Sequence, residues 1–343
     1  SLKEAEELWL VRKELVEFPK ALLLLPKLRR LNVSFNWLES LPDSVGDFRG
    51  LQRLLIFSNK LQRIPPTIGH LNKLKRLDLN DNALECIPES IGQLTALERL
   101  DLRRNKLRKL PATIGCMPKL ETLFVQRNFL ESLPQQMGDL SGVKVLSLAR
   151  NFFKSYPAPL LAMSSLEKLD VSHNCISELP TKAFEALPNC TLFCCSNNQI
   201  KEIPRNIGKM VKLRELNLSY NLIERIPVSI TLARSLQILH IESNQIGTLP
   251  LDLAFMPSLE AVLLSNNEVE HRMVEHTSQN ELDGVALIQQ YTRSFASLRV
   301  LAACAVRKYG IPLPVYALAG MLPEEAESME EILRVTSPRG KGK

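Results

Sequence analysis

The sequence predicts an α/β solenoid in which short parallel strands stack along one face, and two periodic patterns predict it. Aliphatic residues at positions 1, 4, 6 and 11 recur with an asparagine at position 9 and a proline at position 15, as in Leu74–Pro88. The asparagines recur every 23 residues, with one step of 24: Asn36, Asn59, Asn82, Asn105, Asn128, Asn151, Asn174, Asn198, Asn221, Asn244 and Asn267. Prolines follow the first ten at a constant distance: Pro42, Pro65, Pro88, Pro111, Pro134, Pro157, Pro180, Pro204, Pro227 and Pro250.

Repeats of this length and pattern are typical of leucine-rich repeat arrays. The alternation Leu77-Asp78-Leu79 has the period of a strand. Asn82 follows where the backbone turns away from the sheet, and its amide is expected to satisfy backbone groups of the turn and of the adjacent coil. Pro88 then begins the return segment. The predicted fold is therefore a leucine-rich repeat solenoid of about 12 repeats of 23 residues, with a parallel β-sheet on its concave face, followed by a small α-helical C-terminal cap.

The return segments carry two further signals. Glycines four residues after several prolines predict close approach between neighbouring segments: Gly46, Gly69, Gly92, Gly115, Gly138 and Gly208. The segment after Asn174 is one residue longer than the others, which predicts a more helical conformation.

Three regions follow from where the repeats stop. Residues 1–270 form the predicted leucine-rich repeat domain, whose charged first repeat suits a cap. Residues 271–335 are predicted to be a helical C-terminal segment that either caps the array or binds a partner, because apolar residues recur at helical spacing in 282–295 and 297–309. Residues 336–343 form a basic tail that is expected to be disordered.

Composition limits the classes of function. The chain has 343 residues, of which 45% are hydrophobic and 23% are charged, and its net charge is +6. No apolar run approaches the roughly 18 residues of a membrane helix, so no membrane is an expected partner. The mild charge permits an acidic partner but does not by itself indicate nucleic acid. Seven scattered cysteines, without a cluster at either end, favour the cytoplasm, and the nucleus is also compatible.

Signals for catalysis, cofactors and metals are missing from the sequence. It contains no Gly-rich phosphate loop, and its five histidines do not have metal-ligand spacing. Cys194 and Cys195 are adjacent in a strand, so one side chain faces inward and the other outward. Ser172 and His173 lie on a flat sheet, which offers no oxyanion hole. The sequence therefore predicts neither an enzyme nor a cofactor.

Two arginine columns are predicted on the outward face of the sheet. Because parallel strands stack about 5 Å apart, arginines at one repeat position should lie side by side. Position 3 holds Arg30, Arg53, Arg76 and Arg99, while position 8 holds Arg104, Arg127 and Arg150, beside Arg103. Asp78 and Asp101 are expected to balance part of the first column. Arginine columns suit carboxylate recognition, although a solvated, self-paired face is the alternative.

Aromatic residues accompany these arginines. Outward strand positions hold Trp9, Phe35, Phe57 and Phe124, while Trp37, Phe129 and Phe152 follow the asparagine. Aromatic residues next to arginine are typical of interface hot spots. The predicted protein-binding residues are Arg30, Phe35, Arg53, Phe57, Arg76, Asp78, Arg99, Asp101, Arg103, Arg104, Phe124, Arg127 and Arg150.

The repeats LPDSVGDFRGLQRLLIFSNKLQRIP and LPATIGCMPKLETLFVQRNFLESLP resemble the intracellular, Ras-group class of leucine-rich repeat. That class includes plant Ras-group proteins, Sur-8-like Ras scaffolds and Scribble-like polarity proteins. The resemblance covers residues 1 to about 270, and it implies a cytoplasmic, non-catalytic recognition surface.

A second resemblance lies in SLRVLAACAV, residues 297–306, which is similar to the Elongin-binding helix of SOCS-box proteins. Ser297, Leu298, Ala302 and Val306 meet its frame, with Ala302 where the box usually has cysteine. Downstream segments are loosely similar to a cullin box. The resemblance implies Elongin B/C and a cullin as partners, while a simple cap for the array is the other interpretation.

Three functional hypotheses follow. The leading one is a protein-interaction scaffold or adaptor in signal transduction, which binds an acidic and partly apolar protein on the N-terminal half of the concave face. The second is a substrate-recognition subunit of a cullin–Elongin ubiquitin ligase, acting through residues 297–333. The third is a structural subunit of a large assembly. Nucleic acid is not an expected partner, because acidic residues alternate with the arginines.

Overall fold

Consecutive strands of the chain pair in parallel and form one sheet of 12 strands in chain order. The structure, a computed structural model, describes residues 4–269. The register places equal repeat positions side by side, as in the pairing of Leu54 with Leu77 and of Leu77 with Leu100. This arrangement confirms the predicted solenoid. The predicted C-terminal helical segment and basic tail lie outside the described residues.

Each strand has three residues, at positions 3 to 5 of its coil. The strands are β1 (Glu7–Trp9), β2 (Arg30–Asn32), β3 (Arg53–Leu55), β4 (Arg76–Asp78), β5 (Arg99–Asp101), β6 (Thr122–Phe124), β7 (Val145–Ser147), β8 (Lys168–Asp170), β9 (Leu192–Cys194), β10 (Glu215–Asn217), β11 (Ile238–His240) and β12 (Ala261–Leu263). Short 3-10 helices form most return segments: Lys20–Leu24, Asp43–Asp47, Pro66–His70, Glu89–Gln93, Ala112–Cys116, Gln135–Asp139, Ala158–Ala162, Arg205–Lys209, Val228–Leu232 and Leu251–Phe255.

The consensus aliphatic residues form one continuous core between the sheet and the return segments. In the coil of β4, Leu77, Leu79 and Leu84 are fully buried, and Ile91 and Leu94 of the return segment face them. Burial of apolar surface is the main favourable contribution to folding. Since every coil repeats this arrangement, the core extends lengthwise and each coil needs its neighbours.

The consensus asparagines join neighbouring coils, as the sequence predicts. The amide group of Asn105 donates to the carbonyl oxygens of Leu79 at 3.0 Å and Leu102 at 2.9 Å. Its side-chain oxygen accepts a hydrogen bond from the backbone N–H of Leu84 at 3.0 Å. Leu79 and Leu84 belong to the preceding coil, so one buried side chain satisfies backbone groups in two coils.

The residue before each consensus asparagine has a left-handed backbone. In Arg104 φ is 53°, and its N–H donates to the carbonyl oxygen of Gln126 in the next coil at 2.9 Å. Residues other than glycine seldom adopt this conformation. The same position has positive φ in Phe35, Ser58, Asp81, Arg127, Arg150, His173, Asn197, Tyr220, Ser243 and Asn266, and also in Arg12, where Lys13 stands in place of the asparagine. Because the asparagine next in sequence anchors the turn, the array accepts arginine and aromatic residues there.

Neighbouring return segments approach closely at the predicted glycines. A Cβ atom on Gly115 would lie 2.1 Å from the carbonyl oxygen of Gln136. The more helical segment predicted after Asn174 is wrong, because residues 181–186 form turns. The hydrogen bond from the Ala186 N–H to the carbonyl of Lys182 is not followed by further helix, since Pro188 has no N–H to extend it.

Candidate functional site

The side chains at positions 3 and 5 of each coil, on the strand, point away from the core. Together with those at positions 7, 8 and 10, in the turn that follows the strand, we call them the open face. On β4, Leu77 points into the core, whereas Arg76 and Asp78 lie on the open face. The consensus does not specify the residue types at these positions, so the open face differs from coil to coil.

The position-3 arginines are neighbours in the sheet, as predicted. Arg53 pairs in register with Arg30 on one side and with Arg76 on the other, and Arg76 pairs with Arg99. Strands in a sheet are about 4.8 Å apart, so four like charges stand in a row.

Acidic residues neutralise most of this column. Arg30 contacts Glu7 at 2.6 Å, and Arg76 contacts Asp78 at 2.5 Å. The side chain of Asp78 is only 4% exposed. It therefore positions the guanidinium group and is shielded from a partner. Among the described residues, Arg53 has no acidic partner.

A cluster of two arginines, a carboxylate and an aromatic ring lies next to this column. It consists of Arg99, Asp101, Arg103 and Phe124. Asp101 is fully buried and lies 3.3 Å from Arg99 and 3.0 Å from Arg103. Burial raises the pKa of Asp101, and the charge of Arg103 opposes this shift. Both guanidinium groups lie over the ring of Phe124, at 4.8 and 5.8 Å from its centroid. Cation–π contact and the shared carboxylate together fix both arginines.

The position-8 arginines have less acidic compensation. Arg104 contacts Asp81 at 3.4 Å. Arg150 donates to Nε2 of His173 at 3.1 Å, and burial, together with the charge of Arg150, lowers the pKa of His173. Within the described part of the chain, Arg127 has no ion pair and no side-chain hydrogen bond, and neither it nor Arg150 has an acidic partner.

Aromatic side chains accompany both arginine columns. Phe129 and Phe152 are stacked, with ring centroids 5.9 Å apart and planes 20° apart. Both rings are exposed, at 43% and 49%. Phe35 and Phe57 meet edge to face at 5.2 Å. The predicted exposure of aromatics is confirmed for Phe35 and these stacked rings, whereas Phe57 and Phe124 are half-buried.

Small and acidic side chains line the open face of the later coils. Nε2 of His240 lies 3.6 Å from Glu215, and Nδ1 lies 3.8 Å from Glu242. The hydroxyl of Ser219 donates to Glu242 at 3.0 Å. No group of three or more histidine, cysteine or acidic side chains within residues 4–269 could hold a metal ion. None of the helices within residues 4–269 combines the length and the apolar character that a membrane span needs.

Sequence reasoning missed several residues of the open face. Glu7 neutralises Arg30, and Arg12 lies 5.0 Å from the ring of Phe35. Extending the position count into the first repeat would have placed Glu7 in the arginine column and Arg12 in the column of Phe35. Ser297, Leu298, Ala302 and Val306, predicted to bind Elongin, lie outside the described residues.

Family comparisons agree with this architecture. A family described as leucine-rich repeat region matches residues 65–190. A second, described as leucine rich repeat, matches residues 164–223 and 191–246. No curated protein matches the chain.

The chain is also similar to proteins of known structure. The chain is similar to a leucine-rich repeat protein of Leptospira interrogans, with 30% identity and a TM-score of 0.67, and the match covers 79% of this chain and 76% of that protein. The plant peptide hormone receptor RGFR1, in complex with RGF2, has 25% identity and a TM-score of 0.63. The match covers 72% of this chain and 41% of the receptor chain. A chain of the Toll–Spatzle complex of Drosophila has 25% identity and a TM-score of 0.67. The match covers 78% of this chain and 38% of that chain.

The chain spans about two fifths of the length of these last two proteins. Three observations indicate the same family: the repeats, the parallel sheet in chain order, and the similarity to the Leptospira protein over most of both chains. The chain therefore belongs to the leucine-rich repeat proteins.

Proposed function

We propose that the chain is a non-catalytic scaffold or adaptor that binds an acidic, partly apolar protein on the open face of β2 to β7. Two observations carry the proposal: Arg127 and Arg150 have no acidic partner among the described residues, and the stacked, exposed rings of Phe129 and Phe152 follow them by two residues in the same two coils. Each of these two coils therefore contributes one arginine without an acidic partner and one exposed aromatic ring.

Physical chemistry favours a protein ligand over a small molecule at this place. Arginine and aromatic residues are enriched at the centres of protein interfaces, where they contribute most of the binding energy. Arginine also pairs with carboxylates in a planar, bidentate geometry. The rings of Phe129 and Phe152 lie at an open surface, which suits the broad contact that a protein or an extended peptide makes.

The comparisons support the same class of ligand. The plant peptide hormone receptor is in complex with RGF2, and Toll is in complex with Spatzle. Both are leucine-rich repeat relatives in fold, and both complexes involve a peptide or protein. That the partner of this chain is acidic and partly apolar is inferred from the side chains of this chain's own open face.

The location proposed from the sequence is the cytoplasm or nucleus. Six cysteines in the described residues are free, and none is paired in a disulfide there: Cys86, Cys116, Cys175, Cys190, Cys194 and Cys195. Free thiols are usual in reducing compartments, which supports this location. Fractionation of cells that express the tagged chain tests it.

A charge-reversal experiment tests the proposed function. The full chain captures proteins from cell extract, and mass spectrometry compares the wild type with the triple variant Arg104→Glu, Arg127→Glu, Arg150→Glu. Specific partners should be lost from this variant. The matched control reverses three exposed arginines that stand at none of the open-face positions: Arg49, Arg63 and Arg108. Capture that is equal for both variants would contradict the proposal.

The resemblance at Ser297 to Val306 supports a second candidate function, a substrate-recognition subunit of a cullin–Elongin ubiquitin ligase. Co-purification of the full chain with Elongin B and C, lost on Leu298→Asp, would support it. Failure of the wild-type chain to bind purified Elongin B/C would exclude it. The two functions are compatible, since one uses the repeats and the other uses the segment after them.

A further inference from the structure

A small cavity lies on the open face at the N-terminal end of the sheet. Its volume is about 150 Å³, and its lining includes Trp9, Arg30, Arg53, Leu55 and Arg76. Cavities for drug-sized molecules have volumes of roughly 300–1,000 Å³. The cavity is therefore the size for one chemical group of a larger ligand, such as a single side chain or a chain terminus.

Its electrostatics leave one positive charge without a counter-charge. Arg30 is held by Glu7 at 2.6 Å, and Arg76 is held by Asp78 at 2.5 Å. Arg53, between them in register, has no ion pair and no side-chain hydrogen bond among residues 4–269, and its side chain is exposed. The surroundings favour a ligand that brings a single negative charge.

The residue at position 5 explains why Arg53 is different. In β4, Asp78 at this position lies two residues after Arg76 and neutralises it. In β3 the same position holds Leu55, two residues after Arg53, and this side chain is half-buried. An apolar side chain has thus taken the place of the internal counter-ion. The cavity gains an apolar wall and Arg53 is left free.

We infer that this cavity binds one carboxylate of a protein or peptide partner, with Arg53 pairing with the carboxylate while Trp9 and Leu55 contact the apolar groups next to it. The inference deepens the proposed function and rests on it, because the cavity lies on the same face. A guanidinium group matches a carboxylate with two parallel hydrogen bonds. Trp9 is 57% exposed and presents apolar ring surface to the group that enters.

Two sources can supply this carboxylate, the C-terminus of a partner chain and an aspartate or glutamate side chain. Both present the same planar monoanion. Three short peptides of otherwise equal sequence separate them. One ends in a free carboxylate and has no acidic side chain, the second is C-terminally amidated and has one glutamate, and the third is amidated and has glutamine instead.

Tryptophan fluorescence reports on the cavity directly. The chain has two tryptophans, so Trp37→Phe leaves Trp9 as the sole reporter. The first probe is 3-phenylpropanoate, with its neutral amide as the control. A saturable change in emission is expected for the carboxylate, with a Kd of about 1 mM, which is in the range for a ligand of this size. The amide should bind about tenfold more weakly or not at all.

Variants in the Trp37→Phe background assign the binding group. Arg53→Gln should abolish the saturable response, and Arg53→Lys should weaken it because the bidentate geometry is lost. Leu55→Asp recreates the arrangement of Asp78 and Arg76, so it should occupy Arg53 from within and also abolish binding. Leu55→Asn is the matched control and should retain it. Thermal unfolding verifies that each variant is folded.

Several results would overturn the inference. They are equal responses to carboxylate and amide, no saturable response to any carboxylate, or unchanged binding by Arg53→Gln. Equal binding of all three peptides would do the same, whereas preference for the first or the second identifies the source of the carboxylate. The triple charge reversal at Arg104, Arg127 and Arg150 leaves the cavity intact, so failure of the cavity and failure of the proposed function give different results.

Discussion

Arg76 donates two hydrogen bonds to a single carboxylate oxygen of Asp78, from Nε at 2.9 Å and from Nη2 at 2.5 Å. The two residues are neighbours on the open face of one strand, with Asp78 beneath the guanidinium group. The pair shows that part of the arginine column is neutralised within the molecule. The arginines without such a partner, Arg53, Arg127 and Arg150, are the ones that a ligand would find available.

The consensus asparagines should contribute strongly to stability. Asn105→Ala removes a hydrogen bond to the backbone N–H of Leu84 and two or more to carbonyl oxygens, at a site that is 6% exposed. Leaving buried backbone groups unpaired costs about 1–3 kcal/mol each, so we expect a loss of about 3 kcal/mol in the free energy of unfolding. Urea denaturation measures it.

Asn80→Ala is the control for this prediction. The Asn80 amide is also buried but donates to the side chain of Asp81 at 2.8 Å and not to the neighbouring coil. The side chain of Asp81 is 35% exposed, so water can replace this hydrogen bond, and its loss should cost about 1 kcal/mol. Equal costs for Asn80→Ala and Asn105→Ala would contradict the role given to the consensus asparagines.

Close packing of the return segments gives a second prediction. A Cβ on Gly115 would lie 2.1 Å from the carbonyl oxygen of Gln136, so Gly115→Ala forces two segments apart. We expect a cost of about 2 kcal/mol, typical of overpacking. On Gly50 the closest contact of a Cβ would be 3.5 Å, to the carbonyl oxygen of Leu28, and Gly50→Ala should change stability by less than about 0.5 kcal/mol. Thermal unfolding of both variants distinguishes them, and a neutral Gly115→Ala would refute the steric argument.

The buried carboxyl of Asp101 gives a pH-dependent prediction. Burial raises the pKa of Asp101 in the folded protein, so above the unfolded value of about 3.9 the folded state retains a proton that the unfolded chain has released. The free energy of unfolding therefore falls as pH rises from that value through the folded pKa, and it levels off above it.

Comparison of the wild type with Asp101→Asn isolates this effect. The stability of the wild type minus that of the variant should decrease with rising pH in this interval. Urea denaturation at a series of pH values measures the slope, which is independent of the constant cost of the lost contacts with Arg99 and Arg103. A difference that increases with pH would show that the pKa of Asp101 is lowered instead.

Periodicity predicted most of the fold because each coil repeats the same local physics. Leu77, Asn82 and Pro88 hold fixed places, and their counterparts then stack in register. The sequence also predicted that Arg53 and Arg76 would be neighbours, since equal positions pair between strands. The longer segment after Asn174 predicts a more helical conformation, whereas residues 181–186 form turns and Pro188 has no N–H to extend a helix.

Side-chain pairing on the open face was harder to predict. Whether Arg99 contacts Asp78, Asp101 or Phe124 depends on the conformations of long side chains in three adjacent coils. The single free charge of Arg53 depends on Leu55 beside it, a residue that the consensus treats as variable. Such differences are decided by packing between coils, and a pattern that scores each coil separately does not contain them.

The most direct test of the account is to map which face touches a captured partner. The full chain carries a photo-crosslinking phenylalanine derivative either at Phe152, on the open face, or at Leu232, a 60% exposed residue of a return segment. Binding on the open face predicts adducts with the partner from position 152 and none from position 232. Adducts from position 232 alone would contradict binding on the open face.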